Sequence, residues 1–320
     1  MYGIKFIPLT PDCPPAGSFD CALALGCFDG FHTAHRKITD AAASLAERLS
    51  AGGKRLRCGV FCFSEPPAAF FGKSAPILTD IAEKCRLFAE AGLEFAFIAD
   101  FAAVRELTPM QFADEILSDL CHCRAAACGF NFTFGRNAMG TPDTLRDFFG
   151  VDRVEVLPPV MEGGEAISSS RIRELIARGC IEEASALLGH PFSVCGEVRH
   201  GRGDGAKLGF PTFNQLPPQG AATLLPGVYV STVSLSPSKE PLPAVTDAGE
   251  APTMDASGVF RYETHLLADP GVSLYGSSPR VFFHKRLRGE MKFASPQELV
   301  TQIERDVAAA RNYFTDHEKA

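Results

Sequence analysis

The chain has no long run of Lys or Arg, and its 31 basic residues are outnumbered by 38 acidic ones, for a formal net charge of −7. A basic stripe able to track a polyanion is therefore missing, which excludes the usual electrostatic footprint of a DNA- or RNA-binding protein. Small anions such as nucleotides stay open, because local backbone amides bind phosphate whatever the global charge. No apolar stretch reaches the ~18 residues of a membrane span, and "MYGIKFIPLTPDCPPAG" has no basic start followed by an apolar run. The chain reads as neither exported nor membrane-spanning. No CxxC pair occurs among the 11 cysteines, an odd number scattered along the sequence, which points to reduced thiols in a cytoplasmic protein. The dense group "CHCRAAAC" (Cys121, His122, Cys123, Cys128) lacks the two-residue gap of a zinc knuckle, so no structural zinc is expected there. No internal repeat is visible, and nothing marks an oligomeric state.

What is present is ample apolar material. With 320 residues, 46% hydrophobic and 22% charged, two globular domains are the first expectation. The first half alternates short apolar runs with amphipathic stretches. "CALALG", "LRCGVFCF", "LEFAFIADF" and "AAACGF" read as strands. "RKITDAAASLAERLSAG", "LTDIAEKCRLFAEAG" with Thr79 as N-cap, and "TPMQFADEILSDL" with Pro at its first position read as helices. Strand followed by helix followed by strand implies crossover connections and a parallel sheet covered on both faces, with its ligand crevice at the carboxyl ends of the strands. Beyond about residue 185 the texture changes. "FSVCGEV", "GVYVSTVSL", "RYETHLLA" and "SPRVFFHKRL" are short strand-like runs between Gly and Pro clusters, and a single long helix, "SPQELVTQIERDVAAARNYF", closes the chain. This suggests an antiparallel barrel. The expected domains are 1–184 and 185–320.

Two stretches carry chemistry. "GCFDGFHTAHRKI" (26–38) sets His32 and His35 where the first of these strands hands over to a helix. A helix N-terminus offers free N–H donors and partial positive charge to an anion, and imidazoles donate hydrogen bonds there without adding permanent charge. An HxxH pair alone is commonly a capping coincidence; its neighbours alter its meaning. "GEVRHGRGDGAKLGFPTFN" (196–214) contains five glycines whose backbone amides can close around a phosphate. Its "PTFN" supplies a hydroxyl and an amide oxygen two residues apart, on one side of an extended strand, both hard ligands suited to Mg²⁺.

"GCFDGFHTAH" resembles the "G-x-F-D-G-x-H-x-G-H" signature of the nucleotidylyltransferase superfamily, in the form found in bacterial bifunctional riboflavin kinase/FAD synthetases. "ISSSRIR" (167–173) resembles its second signature, "I-S-S-T-x-x-R". The resemblance implies AMP transfer from ATP, with His32, His35 and Arg173 as catalytic groups at the phosphates. It also implies nucleotide or flavin contacts at Gly26, Phe28, Asp29, Gly30, Ser168 and Ser169, and at Asn131 within "GFNFTFGRNAMG". The segment 196–214 is similar to the riboflavin kinase signature "G-x-V-x-H-G-x-x-x-G-x-x-L-G-x-P-T-x-N". That similarity implies Mg²⁺ on Thr212 and Asn214 and nucleotide contacts at Gly201, Gly205, Lys207, Gly209 and Pro211. "YETHLL" resembles the family's "v-E-x-H-l-l" strand, which makes Glu263 the general base; "LRGEMKF" adds Arg288 as a flavin or phosphate contact.

The implied architecture is a Rossmann-like α/β nucleotidylyltransferase domain followed by an antiparallel six-stranded β-barrel with a C-terminal helix. The implied reactions are phosphorylation of riboflavin to FMN and adenylylation of FMN to FAD, with ATP as co-substrate, Mg²⁺ as cofactor and riboflavin, FMN and ATP as partners. The alternatives are a riboflavin kinase with a decayed first domain, or a non-catalytic flavin-binding regulator. Three positions depart from the pattern: Ala34 stands for a Gly, Ser64 followed by Glu65 stands where "F-D-P-H-P" has its acidic residue, and Asp247 replaces an Asn. An anion at 247 either repels phosphate or helps hold a cation.

Overall fold

The computed structural model describes residues 5–9, 19–50, 54–72, 75–200, 204–236, 240–251 and 259–317. The chain divides into two compact units, Met1–Ser169 and Ser170–Ala320.

In the first unit, strands β1 (Lys5–Leu9), β2 (Cys21–Leu25), β3 (Arg57–Phe63), β4 (Phe95–Ala99), β5 (Cys123–Gly129) and β6 (Val154–Leu157) form one parallel sheet, ordered β1-β4-β3-β2-β5-β6. Helices α1 (Thr33–Leu49), α2 (Pro67–Phe70), α3 (Ile81–Glu90), α4 (Phe101–Val104), α5 (Pro109–Gln111) and α6 (Pro142–Phe149) lie among them, with a hairpin of β7 (Met161–Glu162) and β8 (Glu165–Ala166). β2 shows why both sheet faces are covered. All five of its residues are buried, Cys21, Leu23 and Leu25 in one apolar cluster and Ala22 and Ala24 in the other. The small alanines of β2 and β5 let α1 approach closely through Ile38, Ala42, Leu45 and Ala46, spaced at helical period.

Three details correct the sequence reading of this unit. Thr79 does not cap α3: Asp80 does, accepting from the Glu83 amide at 2.9 Å, because Asp is the better cap and Thr79 has a tertiary partner. The helix begun at Pro109 has the capping box Thr108–Gln111, but Phe112–Leu120 widens to π winding, turning Phe112, Ala113 and Leu117 into the core. β1 was not legible as a strand. It contains Pro8, tolerated because β1 is the sheet edge.

The second unit begins with α7 (Ser169–Ala177), whose first residue still belongs to the preceding unit, and α8 (Ile181–Leu188). Seven antiparallel strands follow: β9 (Phe192–Cys195), β10 (Val198–Arg199), β11 (Phe213–Gln215), β12 (Gly227–Ser234), β13 (Leu242–Ala251), β14 (Val259–Leu266) and β15 (Arg280–Arg288). Between β10 and β11 lies the helical turn α9 (Asp204–Lys207), and α10 (Pro296–His317) ends the chain. The division at 169/170 precedes the compositional change near 185, because α8 buries Ile181, Ala184, Leu187 and Leu188 and packs on β9 and β15.

The sheet order is β10-β11-β14-β13-β12-β15-β9. Its two edges, β9 and β10, are separated in sequence by residues 196 and 197 alone. Seven flat strands at ~4.8 Å spacing would hold their edges roughly 29 Å apart, whereas the three Cα steps that join them span at most about 11 Å. The sheet must curl. The expected six strands become seven because the short β10 pairs with β11 as a separate edge. Inside the curl, Phe213, Thr264, Thr246 and Tyr229 face one another in register and are buried, and a hydroxyl chain runs from Ser231 through Thr246 (2.7 Å) to Thr264 (3.0 Å). On the outer face, Val228, Val230 and Val245 pack against Ala310, Val307 and Phe314 of α10.

Candidate functional sites

In the first unit, residues 26–32 leave the carboxyl end of β2 and turn into α1. Phe28 (φ 51°) and Phe31 (φ 36°) both hold left-handed backbone, which a bulky side chain occupies only when its surroundings compensate. They do: both rings are buried and meet Phe88 edge-on, with centroids 5.8 and 5.0 Å away. Any nucleotide contact at Phe28 thus runs through its backbone, since its side chain is a core anchor. Asp29 is buried too. Its carboxylate accepts from the amides of Leu78 (3.0 Å) and Thr79 (3.1 Å) and from the Thr79 hydroxyl (3.3 Å), while Thr79 Oγ1 accepts from the Gly30 amide at 2.9 Å. Gly30, at φ 82°, makes the turn possible.

The loop so fixed presents the two histidines. His32 caps α1, its Nδ1 accepting from the His35 amide at 3.2 Å. A neutral His32 ring therefore carries its proton on Nε2. The imidazoles of His32 and His35 stack, centroids 3.6 Å apart and planes within 12°. Burial, then His32 and Lys84, push the His35 imidazole well below its ordinary value, so its neutral form prevails. Among the described residues, His35 Nδ1 has no hydrogen-bond partner. Gly26 begins the loop, its amide donating to the Phe61 carbonyl at 3.3 Å.

Other positions of the first unit lie beyond the carboxyl ends of the same sheet. Asn131 is exposed two residues beyond β5, the neighbour of β2. Ser64 and Glu65 are exposed just past β3. Ser169 Oγ donates to the Asp29 carbonyl at 2.8 Å, joining the second motif to the first, with Ser168 directly before it. Arg173 stands one turn further along α7, in the second unit.

In the second unit the register builds the site. Asn214 lies opposite Glu263, Glu263 opposite Asp247, Asp247 opposite Val228, and Val228 opposite Arg288. Directly opposed residues share a face, and Val228 packs under α10, so this row occupies the outer face of the curled sheet. Asn214 Oδ1 is a buried acceptor with no partner among the described residues. Glu263 is about one-third exposed and pairs with Arg261 of its own strand. Desolvation by crowding atoms and the charge of Glu263 push the Asp247 carboxyl up to about 6, against the pull of Arg288, although the residue remains open to solvent. Arg288 is engaged with Asp306 of α10, its Nε and Nη2 donating to Oδ2 at 3.0 and 2.9 Å.

Gly201 lies outside the described residues. Gly205 and Lys207 belong to α9, so this part of the glycine-rich stretch is a helical turn and not an open loop. The Phe210 amide donates to the Gly205 carbonyl at 2.8 Å, and a Cβ at 205 would sit 2.5 Å from the Phe210 carbonyl oxygen. Gly209 (φ 89°) reverses the chain toward Pro211 and Thr212. Thr212 lines a cavity of about 530 Å³ together with Pro211, His265, Leu266, Tyr275 and Arg311.

Sequence reasoning missed Lys84, a buried cation beside the two-histidine loop. Its signal was available: Lys84, Leu87 and Phe88 occupy i, i+3 and i+4 of α3, placing a charge in an apolar stripe.

A family model described as FAD synthetase matches residues 16–171, and one described as riboflavin kinase matches residues 188–314. The bifunctional riboflavin kinase/FMN adenylyltransferase of Escherichia coli (strain K12) is 34% identical over 303 residues, covering 92% of this chain and 93% of that protein. Its counterpart from Bacillus subtilis (strain 168) is 32% identical over 306 residues, covering 93% of each. A crystal structure described as a macrolide-efflux protein from Streptococcus pneumoniae superposes with a TM-score of 0.82 at 28% identity, covering 97% of this chain and 99% of that one. Among the described residues, no helix is long and apolar enough to cross a membrane. Both halves of the chain are thus matched, each by the family its own motifs resemble, and the chain belongs to the bifunctional riboflavin kinase/FMN adenylyltransferase family.

Proposed function

We propose that residues 185–320 phosphorylate riboflavin to FMN and that residues 1–184 convert FMN to FAD, each with ATP. The observation that carries the reading is the row Asn214–Glu263 on adjacent strands, which sets an unpartnered amide oxygen beside a carboxylate.

In the kinase step, Glu263 accepts the proton of the ribityl 5′-hydroxyl as that oxygen bonds to the γ-phosphorus and the bond to the β-phosphate oxygen breaks, releasing ADP. The free Asn214 Oδ1 fits an oxygen-seeking cation, and Thr212 and Asn214 would hold Mg²⁺. When bound, Mg²⁺ neutralises phosphate charge. Pro211 and the turn at Gly205–Gly209, with Lys207, flank the nucleotide.

In the adenylyl step, an FMN phosphate oxygen attacks the α-phosphorus of ATP and pyrophosphate leaves. The acceptor is already an anion, so no protein base is required. The neutral imidazoles of His32 and His35 donate hydrogen bonds to the phosphates. Ser168, Ser169 and Arg173 serve the same phosphates, with Gly26, the backbone at Phe28–Gly30, and Asn131 around the nucleotide or flavin. Every cysteine among the described residues is unbridged, which supports a cytoplasmic enzyme.

Incubating the purified protein with riboflavin, ATP and Mg²⁺ and separating the flavins by chromatography tests this. FAD is expected. Accumulation of FMN alone would leave a kinase with an inactive first unit, and unchanged riboflavin would leave a binding protein.

A further inference from the structure

Lys84 is 3% exposed and reaches from α3 toward the two-histidine loop, its Nζ donating to the Cys27 carbonyl at 3.1 Å. A buried ammonium is costly unless an anion offsets it, and no carboxylate of the described residues forms an ion pair with it. The nearby acids have other duties. Glu83 takes Arg86 at 2.7 and 3.0 Å, Asp80 caps α3, and Asp29 receives the amides of Leu78 and Thr79. The charge of Lys84 is felt across the loop, lowering the proton affinity of His35 and opposing the rise that burial imposes on the thiols of Cys27 and Cys62. Neither imidazole supplies a fixed charge: His32 Nδ1 accepts a hydrogen bond, and His35 is held neutral.

We infer that Lys84 is a fixed cation of the adenylyl-transfer site, a positioning residue that holds the loop through Cys27 and whose charge offsets that of the bound triphosphate. This rests on the assignment of adenylyl transfer to the first unit. It accounts for a charge in the apolar stripe of α3, and for how two neutral histidines serve a polyanion.

The test separates charge from hydrogen bond. Lys84→Gln keeps a donor for Cys27 and loses the charge; Lys84→Arg keeps both. With FMN supplied directly, Lys84→Gln should raise the KM for ATP in FAD formation, and the inhibition constant of pyrophosphate, by about tenfold each, as expected for one partly screened charge pair. Lys84→Arg should stay within about threefold of the parent, and FMN formation from riboflavin should be unchanged in both. If Lys84→Gln retains the parent KM and pyrophosphate affinity, Lys84 only holds the loop and the inference fails. A measurement on the unaltered protein guards against misfolding of the variant: with ¹⁵N-labelled lysine, the resonance absent from Lys84→Arg should shift on adding pyrophosphate, and a resonance that stays put overturns the inference. A parent protein that makes no FAD would instead sink the functional assignment.

Discussion

The two candidate sites are built by opposite means. In the first unit the candidate groups sit on a loop held in place from afar: Asp29 is tied to Leu78 and Thr79 some fifty residues on, and Ser169 closes onto the Asp29 carbonyl across 140 residues. In the second, Asn214, Glu263 and Asp247 are placed by strand register alone, each directly opposite the next. A loop site depends on its anchors as well as on the residues that face the ligand. A register site depends on the pairing of the sheet, and tolerates change wherever a side chain does not face the row.

That contrast can be broken most sharply by removing one function while keeping the other. Glu263→Gln should lower FMN formation by about 10²–10⁴-fold, the usual worth of a general base, with FMN-to-FAD conversion unchanged; concurrent loss of both activities would contradict two independent sites. Replacing both His32 and His35 by Ala should do the reverse, cutting FAD formation by roughly 10²–10³-fold with kinase activity intact, as read by flavin chromatography. Because the proton affinity of His35 is depressed, the unaltered enzyme should keep adenylyl transfer as pH falls through its ordinary value of 6.5, and pH–rate profiles check this.

A smaller effect, on stability, sharpens the comparison from the register side. Arg288→Ala leaves Asp306, whose side chain is 7% exposed, without its bidentate partner, so the second unit should lose about 3 kcal/mol in denaturant unfolding. If stability holds and only flavin affinity falls, Arg288 is chiefly a ligand contact. The smallest expected effect is that of Asp247→Asn. The Asp247 pKa is raised from 3.8 to about 6 in the folded protein, so its ionisation destabilises the fold as pH rises through that window and costs nothing below it. Asp247→Asn should therefore raise the melting temperature slightly at pH 7, with the gain vanishing below pH 4.

Much of this could be read from local order. "GCFDGFHTAH" and "PTFN" stand out as candidate sites because their polar groups lie a few residues apart, and the α/β half was legible because apolar period and glycine stops repeat along it. Thr79 reads as a cap because Thr and Asp both favour that place; Asp is the better cap, and Thr79 is engaged by Gly30, 49 residues away. Phe28 and Asp29 read as ligand contacts from their place in a motif; that the Phe28 ring is also a core anchor and that the Asp29 carboxylate also holds the backbone of residues 78–79 depend on distant segments. Arg288 reads as a flavin or phosphate contact from its motif, and nothing local shows that it also engages Asp306 of α10.

The sequence by itself determined that two units of different texture exist and that each carries a compact motif of glycines and polar groups, because helical and strand periodicity and short motifs are encoded within a few residues. Only the tertiary structure decided that Glu263 stands between Asn214 and Asp247, that the sheet curls to seven strands, and that Lys84 lies buried beside the two-histidine loop. Those facts depend on which distant segments pair and on what burial does to a charge, and neither is set by neighbours along the chain.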